Sequence, residues 1–364
     1  MRFGPHNGLR RPDTNHWMGR MSADQLTPVA WPPTPGPVGR AVLDVIAGQS
    51  VDDVAQKAGM EPIALADAVE VFERAGHTAL ARQELLRTSW WQFYVEFPDW
   101  AHAEQTAATH IAPLLACMEK RGVISLWWFI RKHPCWRLRL YGGPESQVRM
   151  ELGAQLDELV EVGHLSRWRP GIYEPETAAF GGAAGMLNAH HLFTADSRHI
   201  LSLGGRTDVP LGRRELSVLL CAVMMEAAGL EWQEQGDVWD RVINEEHRST
   251  TGKVLEDRLE GMTRQIRQLL VSDTSPDGPV FGKGAPLHRV SEWAAAFRRT
   301  GNALKEGVTA GVLDRGIRRV LAYHVIFHWN RIGLSLGAQS ALALAARNAI
   351  LDPPPDAAER SYEL

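Results

Sequence analysis

The sequence predicts an α+β protein in which a ferredoxin-like βαββαβ unit is followed by a helical C-terminal half and preceded by a small helical unit. Residues 90–97 alternate between two faces, which is the period of a β-strand. Further strand and helix patterns continue in the order β-α-β-β-α-β to about residue 173. Beyond residue 176, nearly every apolar pattern has the helical period.

The N-terminal part is predicted to consist of an extended arm and a small helical unit. Residues 1–37 are rich in proline and glycine, which favours an extended arm. Residues 38–86 contain three short helical patterns, Ala41–Ala47, one beginning at Ser50 with a capping-box-like start, and Ile63–Ala75. Gly76 is predicted to end the third helix. This spacing resembles a winged-helix or helix-turn-helix unit.

Residues 87–350 are predicted to form the core, followed by a disordered tail at 351–364. After the first strand we expect a helix at about 100–119, strands at 123–132 and 135–142, a helix at 146–161 and a strand at 165–173. The helical half is expected at about 183–203, 213–231, 235–248, 253–272, 287–307 and 312–334. The irregular segment 272–286 has a length that is often functional.

Composition excludes several functional classes. The 364 residues carry a formal charge of −4, which argues against a general nucleic-acid-binding protein. Cys117, Cys135 and Cys221 are widely spaced, which fits a reducing cytosol. The N-terminus has no apolar signal sequence, and the most apolar stretch, Leu216–Leu230, is too short to span a bilayer. We therefore expect a cytoplasmic protein that binds neither membrane nor nucleic acid.

Polar side chains share one face of the predicted sheet. Arg137 and Arg139 alternate with leucines and so lie on the same face of their strand. The first strand presents Trp90, Gln92, Tyr94 and Glu96 on one face. If these strands are neighbours, the arginines can hold an anionic group or polarise amide carbonyls. The alternative is a solvated face with weak surface ion pairs.

A second group of polar residues begins at the turn 173–182, which starts with Tyr173 and ends with two glycines. Glu176 in this turn either caps the following helix or belongs to a site. On the helix itself lie His190, His191, Asp196, Ser197 and Arg198. They either line a site or decorate the helix surface.

The last predicted helix carries His324, His328 and Arg331 on one face, at spacings of four and three residues. Zinc binding by the two histidines is disfavoured because no HExxH carboxylate lies between them, and we expect no metal. The alternatives are hydrogen-bonded core histidines or a stripe facing a pocket. Imidazole suits proton transfer at neutral pH, so the pocket is favoured. No nucleotide-binding motif is present, so no cofactor is expected.

Four sequence runs resemble those of one protein family: WWFIRKHPCWRLRL (127–140), YEPETAAFGGAAGM (173–186), LFTADS (192–197) and HWNRIG (328–333). They are similar to the C-terminal elimination domain of class I lantibiotic dehydratases, and more similar to its stand-alone relatives, the thiopeptide pyridine synthases. The resemblance spans roughly residues 87–340. It implies roles for Arg137, Arg139 and His328. The elimination domains often have Arg-Tyr where this chain has Ala179-Phe180, and we expect the glutamylation module of full-length dehydratases to be missing here. Both departures favour the cyclase branch.

The resemblance to pyridine synthases implies a formal (4+2) cycloaddition between two dehydroalanines of a leader-bearing, azole-containing precursor peptide. Loss of water and of the leader then gives a pyridine macrocycle. His328 is expected to transfer protons with Tyr94 or Tyr173, and the arginines to stabilise an amide oxygen. Substrate contacts are expected from Trp90, Gln92, Glu96, Glu176, His191, Asp196, Ser197, His324 and Arg331.

Other functions remain open from the sequence. The chain is alternatively a lyase that eliminates glutamate from a glutamylated peptide, a leader-binding scaffold without catalysis, or a DNA-binding regulator. The N-terminal helical unit is expected to bind the leader, or to be a structural appendage. DNA binding by its third helix is disfavoured because that helix carries Asp67, Glu70 and Glu73. The sequence also leaves open that the chain contacts other biosynthetic enzymes.

Overall fold

The computed structural model describes residues 36–87, 90–203, 209–245 and 256–352. The predicted arm at 1–37 and tail at 351–364 therefore lie almost wholly outside the described residues. The chain divides into two compact units between Phe72 and Glu73. Mixed α/β structure, rich in helices, agrees with the predicted class.

The N-terminal helices are α1 (Pro37–Ile46), α2 (Val51–Ala58) and α3 (Pro62–Arg87). Ala41, Val54 and Leu65 are among the buried side chains of a small separate core. Residues 36–87 contain no strand that would form a wing. The prediction that Gly76 ends the third helix was wrong, since α3 continues eleven residues further to Arg87. A glycine inside a helix costs only about 1 kcal/mol, which neighbouring good helix formers offset.

A four-stranded sheet follows, formed by β1 (Trp90–Glu96), β2 (Ile124–Lys132), β3 (Cys135–Gly142) and β4 (Arg167–Gly171). The strand order is β2-β3-β1-β4, and every neighbouring pair is antiparallel. Between β1 and β2 lie α4 (Ala103–Thr106), a π-helical turn (Ala107–Ile111) and α5 (Ala112–Lys120). Between β3 and β4 lies α6 (Glu145–Glu161). The predicted order of strands and helices is observed, although β4 is shorter than expected.

The two faces of this sheet have different surroundings. Phe93, Val95 and Leu138 point to one face, where they are buried among side chains of the preceding helices such as Leu115. The opposite face carries the polar residues that alternation predicted. The first helix of the C-terminal half, α7 (Ala183–Ser202), packs against β2 at the edge of the sheet. One face of the sheet therefore packs in the core, and the other carries polar side chains.

The C-terminal half contains α7 and six further helices among the described residues: α8 (Arg213–Ala227), α9 (Trp232–Asn244), α10 (Glu256–Leu270), α11 (Ser291–Thr309), α12 (Ile317–Ile332) and α13 (Leu336–Leu351). A 3-10 turn, His288–Val290, precedes α11. Helix α13 was not predicted, and the segment 271–287 contains no regular element. None of the helices in the described ranges is long and apolar enough to cross a membrane.

Helix α7 runs through the interior of the second unit. Twelve of its 20 residues are buried, including His190, Phe193 and Asp196. Because these three residues follow one another at intervals of three, their side chains lie on neighbouring parts of the helix surface. Helix α7 thereby connects the polar sheet face to α12, with which it is also in contact.

Candidate active site on the sheet face

The strand register brings the predicted polar residues into one ladder. Across the β1–β3 pair, Gln92 lies opposite Arg139, and Tyr94 lies opposite Arg137. On the other side of β3, Trp128 lies opposite Arg139. Side chains directly opposite each other in an antiparallel pair point to the same face. These residues therefore share the face that α7 partly covers.

Arg139 is the centre of what we call the inner cluster, formed by Gln92, Trp128, Arg139, Tyr173 and His190. Its guanidinium carbon lies 4.2 Å from the centroid of the Trp128 ring and 4.3 Å from that of Tyr173. Its Nε donates to Oε1 of Gln92 at 2.9 Å, and the residue is only 3% exposed. Two aromatic faces and one hydrogen bond therefore fix the plane of the guanidinium.

A tyrosine–histidine pair completes the inner cluster. Oη of Tyr173 and Nε2 of His190 are 2.8 Å apart, and the rings of Trp90 and His190 have centroids 4.2 Å apart. Burial, reinforced by the charge of Arg139, lowers the pKa of His190 to about 3. Burial also raises the pKa of Tyr173 above its ordinary value. Both side chains are therefore uncharged at neutral pH.

Glu176 lies at the solvent side of the inner cluster. Its side chain is 37% exposed, and its Oε1 is 3.8 Å from a terminal nitrogen of Arg139. The turn that holds it ends at Gly181 and Gly182, whose φ angles are 80° and 97°. Side-chain-bearing residues rarely adopt these angles, and a Cβ at Gly182 would lie 2.5 Å from Oδ2 of Asp314. The glycines thus allow the turn into α7 that leaves Glu176 beside Arg139.

A second group, which we call the aspartate network, is formed by Asp196, Trp293, His328 and Arg331. Asp196 accepts hydrogen bonds from Trp293 Nε1 at 2.9 Å and from Arg331 Nε at 2.7 Å. Nδ1 of His328 lies 3.0 Å from both carboxylate oxygens. All four residues are fully buried. Burial raises the pKa of Asp196, but His328 and Arg331 together lower it to about 2. The carboxylate is therefore ionised at neutral pH.

Phe193 lies between the inner cluster and the aspartate network. Its ring centroid is 4.7 Å from that of Trp128 and 4.2 Å from the guanidinium carbon of Arg331. His324 is fully buried nearby, with its ring centroid 4.9 Å from that of Phe180. Burial, together with the charge of Arg331, lowers the pKa of His324 to about 3. These groups therefore lie in an aromatic interior that favours uncharged imidazole.

Two other predicted residues on α7 take different positions. Ser197 is buried, and its Oγ accepts a hydrogen bond from the N–H of Phe129 at 3.3 Å, which ties α7 to the edge strand. His191 is exposed and points away from the inner cluster, while the adjacent His190 reaches it. Successive helical residues point about 100° apart, so only one of two adjacent histidines can face the sheet.

The remaining predicted residues, Tyr94, Glu96 and Arg137, lie further along the same sheet face. They line a depression of about 290 Å³, which we call the outer depression. Arg137 lies in this depression, whereas His328 is buried in the aspartate network. Among the described residues, no contact joins the two side chains. The predicted residues are thus distributed over an inner cluster, an aspartate network and an outer depression.

Sequence reasoning did not select Trp128 for the site, and from the candidate group on α7 it chose His191 rather than His190 for substrate contact. Alternation along β2 would have identified Trp128, because it occupies the same face as its partner Arg139. The choice of His190 over His191 required knowing which side of α7 is buried. Across the part of the chain that the structure describes, no group of three or more histidine, cysteine, aspartate or glutamate residues is placed to hold a metal ion.

Comparison with known proteins links this combination of sheet, helical half and polar sheet face to a protein family. Residues 90–350 match the sequence profile described as the C-terminal domain of lantibiotic biosynthesis dehydratases. The match covers well over half of the chain, so the protein belongs to this family of peptide-antibiotic biosynthesis. No curated protein sequence gives a significant match.

Three of the solved structures that share the fold do so at low sequence identity. The tRNA-dependent lantibiotic dehydratase MibB from Microbispora sp. 107891 is 20% identical with a TM-score of 0.53, covering 74% of this chain but only 28% of MibB. TsrL is 19% identical with a TM-score of 0.52, covering 76% of this chain and 96% of TsrL. TbtD, a pyridine synthase from thiomuracin biosynthesis, is 16% identical with a TM-score of 0.52, covering 72% of this chain and 98% of TbtD.

Proposed function

We propose that this protein forms the central pyridine ring of a thiopeptide from a leader-bearing precursor peptide. The observation that carries the proposal is the inner cluster, where a fixed guanidinium and an uncharged tyrosine–histidine pair lie side by side. Membership in the dehydratase C-terminal family and the fold shared with the pyridine synthase TbtD support the same function.

The proposed reaction requires proton transfers and the alignment of two dehydroalanines. An amide next to the first dehydroalanine moves its proton from nitrogen to oxygen and becomes a 2-azadiene. Two carbon–carbon bonds then form between this azadiene and the second dehydroalanine. The hydroxyl group leaves as water, and the leader leaves as a carboxamide, which makes the ring aromatic. Alignment of the two reacting groups alone can lower the barrier by about 7–11 kcal/mol.

The inner cluster has groups suited to the first proton transfer. One terminal nitrogen of Arg139 and Nδ1 of His190 have no hydrogen-bond partner among the described residues. We assign Arg139 to the amide oxygen, where a fixed cation stabilises the charge that develops during tautomerisation. We assign the Tyr173–His190 pair to the proton, because two uncharged groups 2.8 Å apart can pass it between them. Trp90, which is only partly buried beside His190, offers a flat surface for an azole ring.

His328 is retained as a proton-transfer residue in this proposal, on the basis of the family resemblance. Its Nε2 is buried and has no partner among the described residues, while Nδ1 is held by Asp196. The inner cluster is closer to solvent, through Glu176. We therefore place the first proton transfer at the inner cluster and assign His328 to a later step, the loss of water or of the leader.

The position of Phe180 favours cyclisation over glutamate elimination. The elimination domains often have an arginine and a tyrosine before the glycine pair, where this chain has Ala179 and Phe180. Phe180 is fully buried and packs against Phe193 with ring centroids 5.3 Å apart. These two positions therefore supply neither a cation nor a hydroxyl group for a glutamyl substrate.

The test is incubation of the full chain with a synthetic leader-bearing peptide that contains azoles and two dehydroalanines. Mass spectrometry should detect loss of water and a separate leader carboxamide. Loss of glutamate from a glutamylated peptide would instead establish elimination, and binding without turnover would establish a scaffold. Either of these outcomes overturns the proposal.

Matched substitutions locate the chemistry. Arg139→Gln should lower kcat/KM by about 100-fold or more, as does removal of one preorganised donor in other enzymes. Arg121→Gln, at an exposed arginine paired with Glu151, is its control. Tyr173→Phe should lower kcat by about 100-fold, whereas Tyr323→Phe, which removes a hydroxyl bonded to Glu245, should not. Wild-type turnover by both test variants, with folding verified by circular dichroism, would exclude the inner cluster.

A further inference from the structure

The outer depression is strongly cationic on a chain whose overall charge is negative. Four cationic side chains and one carboxylate line it, namely Lys132, Arg137, Arg167, Arg169 and Glu96. The whole chain has a formal net charge of −4. A concentration of positive charge against this background attracts anionic ligands to one place on the surface.

Most of this positive charge is uncompensated. Arg167 donates to Glu96 at 2.7 Å, which accounts for the one carboxylate. Within the described parts of the chain, Lys132, Arg137 and Arg169 form no ion pair with an acidic side chain. In many proteins neighbouring arginines are neutralised by interspersed acids, but here three cations face the same small space. The arrangement therefore lacks the anions that a purely structural ion-pair network would contain.

Tyr94 organises the arginines of the depression. The guanidinium carbon of Arg169 lies 3.8 Å from the centroid of the Tyr94 ring, and that of Arg137 lies 5.7 Å from it. The three residues face one another across neighbouring strands, with Tyr94 in the middle. Stacking on the ring restricts the planes of the guanidinium groups but leaves their N–H groups free to donate. Such groups suit the planar, two-oxygen geometry of a carboxylate.

The outer depression borders the inner cluster along the strands. Tyr94, Arg137 and Arg169 are each two residues along their strands from Gln92, Arg139 and Gly171, on the same face. Two residues of a strand span roughly 7 Å, which is also the length of two residues of an extended peptide. A peptide bound in the depression therefore has its next residues beside the inner cluster, at the border where Tyr173 and His190 begin to cover the sheet face.

We propose that the outer depression binds an acidic segment of the precursor peptide, through two or more of its carboxylates, and thereby directs the adjoining core segment to the inner cluster. This assignment of the peptide rests on the proposed function. Nucleic acid is a less suitable occupant, because its extended polyanion would also meet the negative remainder of the chain. The site thus deepens the proposed function by naming the chemistry that selects the substrate.

The test measures binding without turnover, so that it is independent of catalysis. A fluorescein-labelled peptide of alternating glutamate and serine is titrated with the full chain at low and high salt, and binding is followed by fluorescence anisotropy. The wild-type chain should bind it, with affinity that falls as salt increases. The double variant Lys132→Gln/Arg169→Gln should bind roughly tenfold more weakly. The control Arg121→Gln/Arg198→Gln, which removes the same charge from two exposed arginines, should bind like wild type.

Three results would overturn the assignment. One is equal affinity of the test variant and the wild-type chain. A second is equal binding of a peptide in which glutamine replaces glutamate, since this would show that charge is not recognised. A third is tighter binding of a single-stranded oligonucleotide, weakened by the same substitutions, which would make the depression a nucleic-acid site. If the peptide binds as expected but the wild-type chain never cyclises a precursor, the proposed function fails while the acidic-segment site remains.

Discussion

Replacement of Asp196 by asparagine would remove the only carboxylate of the aspartate network while preserving its size. In the wild-type chain this carboxylate accepts from Trp293 and Arg331 and lies within hydrogen-bond distance of His328. In Asp196→Asn, an amide N–H₂ group faces donors, and the buried guanidinium of Arg331 loses its counter-charge. We therefore expect a large loss of stability without any loss of volume.

The magnitude follows from burial. Removing one partner of a fully buried ion pair costs about 3–5 kcal/mol, because the other charge remains desolvated. The free energy of unfolding of a domain is about 5–15 kcal/mol, so this single change takes a large share of it. The folded pKa of Asp196, about 2, lies below its unfolded value of about 3.9. Its stabilisation is therefore full above pH 3.9 and is lost as the pH falls through 2.

Urea unfolding at pH 7, followed by tryptophan fluorescence and circular dichroism, measures this loss. Asp157→Asn is the matched control, since Asp157 also accepts from an indole, that of Trp168, but is exposed. The control should change stability by less than about 0.5 kcal/mol. Adding Arg331→Met to Asp196→Asn should restore part of the loss by removing the unpaired charge. A loss below about 1 kcal/mol in Asp196→Asn would refute the reasoning.

Two further predictions concern stability. The folded pKa of His324, about 3, lies below its unfolded value of about 6.5. Between these pH values the unfolded chain binds one more proton, so His324→Leu should flatten the fall of stability with decreasing pH by about 1.4 kcal/mol per pH unit. An unchanged slope in urea titrations from pH 6 to 4 would contradict this. Gly182→Ala should lower the free energy of unfolding by about 1–3 kcal/mol. The control Gly163→Ala should lower it less, because a Cβ at Gly182 meets Asp314 whereas one at Gly163 meets nothing. Equal urea midpoints of the two variants would refute this difference.

Local patterns predicted the parts of the fold that depend on local order. Strict alternation in β1 and β3 placed Gln92, Tyr94, Arg137 and Arg139 on matching faces, and the strand register pairs them accordingly. Helix ends were less accurate, because tertiary context decides whether a glycine such as Gly76 ends a helix or is carried within one. Helix α13 has an even apolar composition with little contrast between its faces, so it gave no clear periodic signal.

The distribution of the site residues could not be predicted from alternation. A strand pattern determines the face on which a side chain lies, but not what covers each end of that face. Here Tyr173 and His190 cover the end with Arg139, while the end with Arg137 stays open. Two arginines separated by one residue therefore have different environments. That difference comes from the path of the chain after β4, which depends on long-range packing.

Helix α7 connects the aspartate network to the inner cluster. Asp196 therefore has two candidate roles, stabilising the fold and positioning the groups that transfer protons. A well-packed apolar replacement of a buried ion pair is often as stable as the pair itself, so stability alone does not explain why charge is present here. Asp196 and His190 lie on one helix, with Phe193 between them in contact with both Arg331 and Trp128. If the network only stabilises the fold, a variant carrying Asp196→Asn and Arg331→Met with restored stability should also regain turnover. Restored stability without turnover would instead mean that Asp196 is needed for proton transfer, either because it orients His328 or because the network holds α7, and therefore His190, in position.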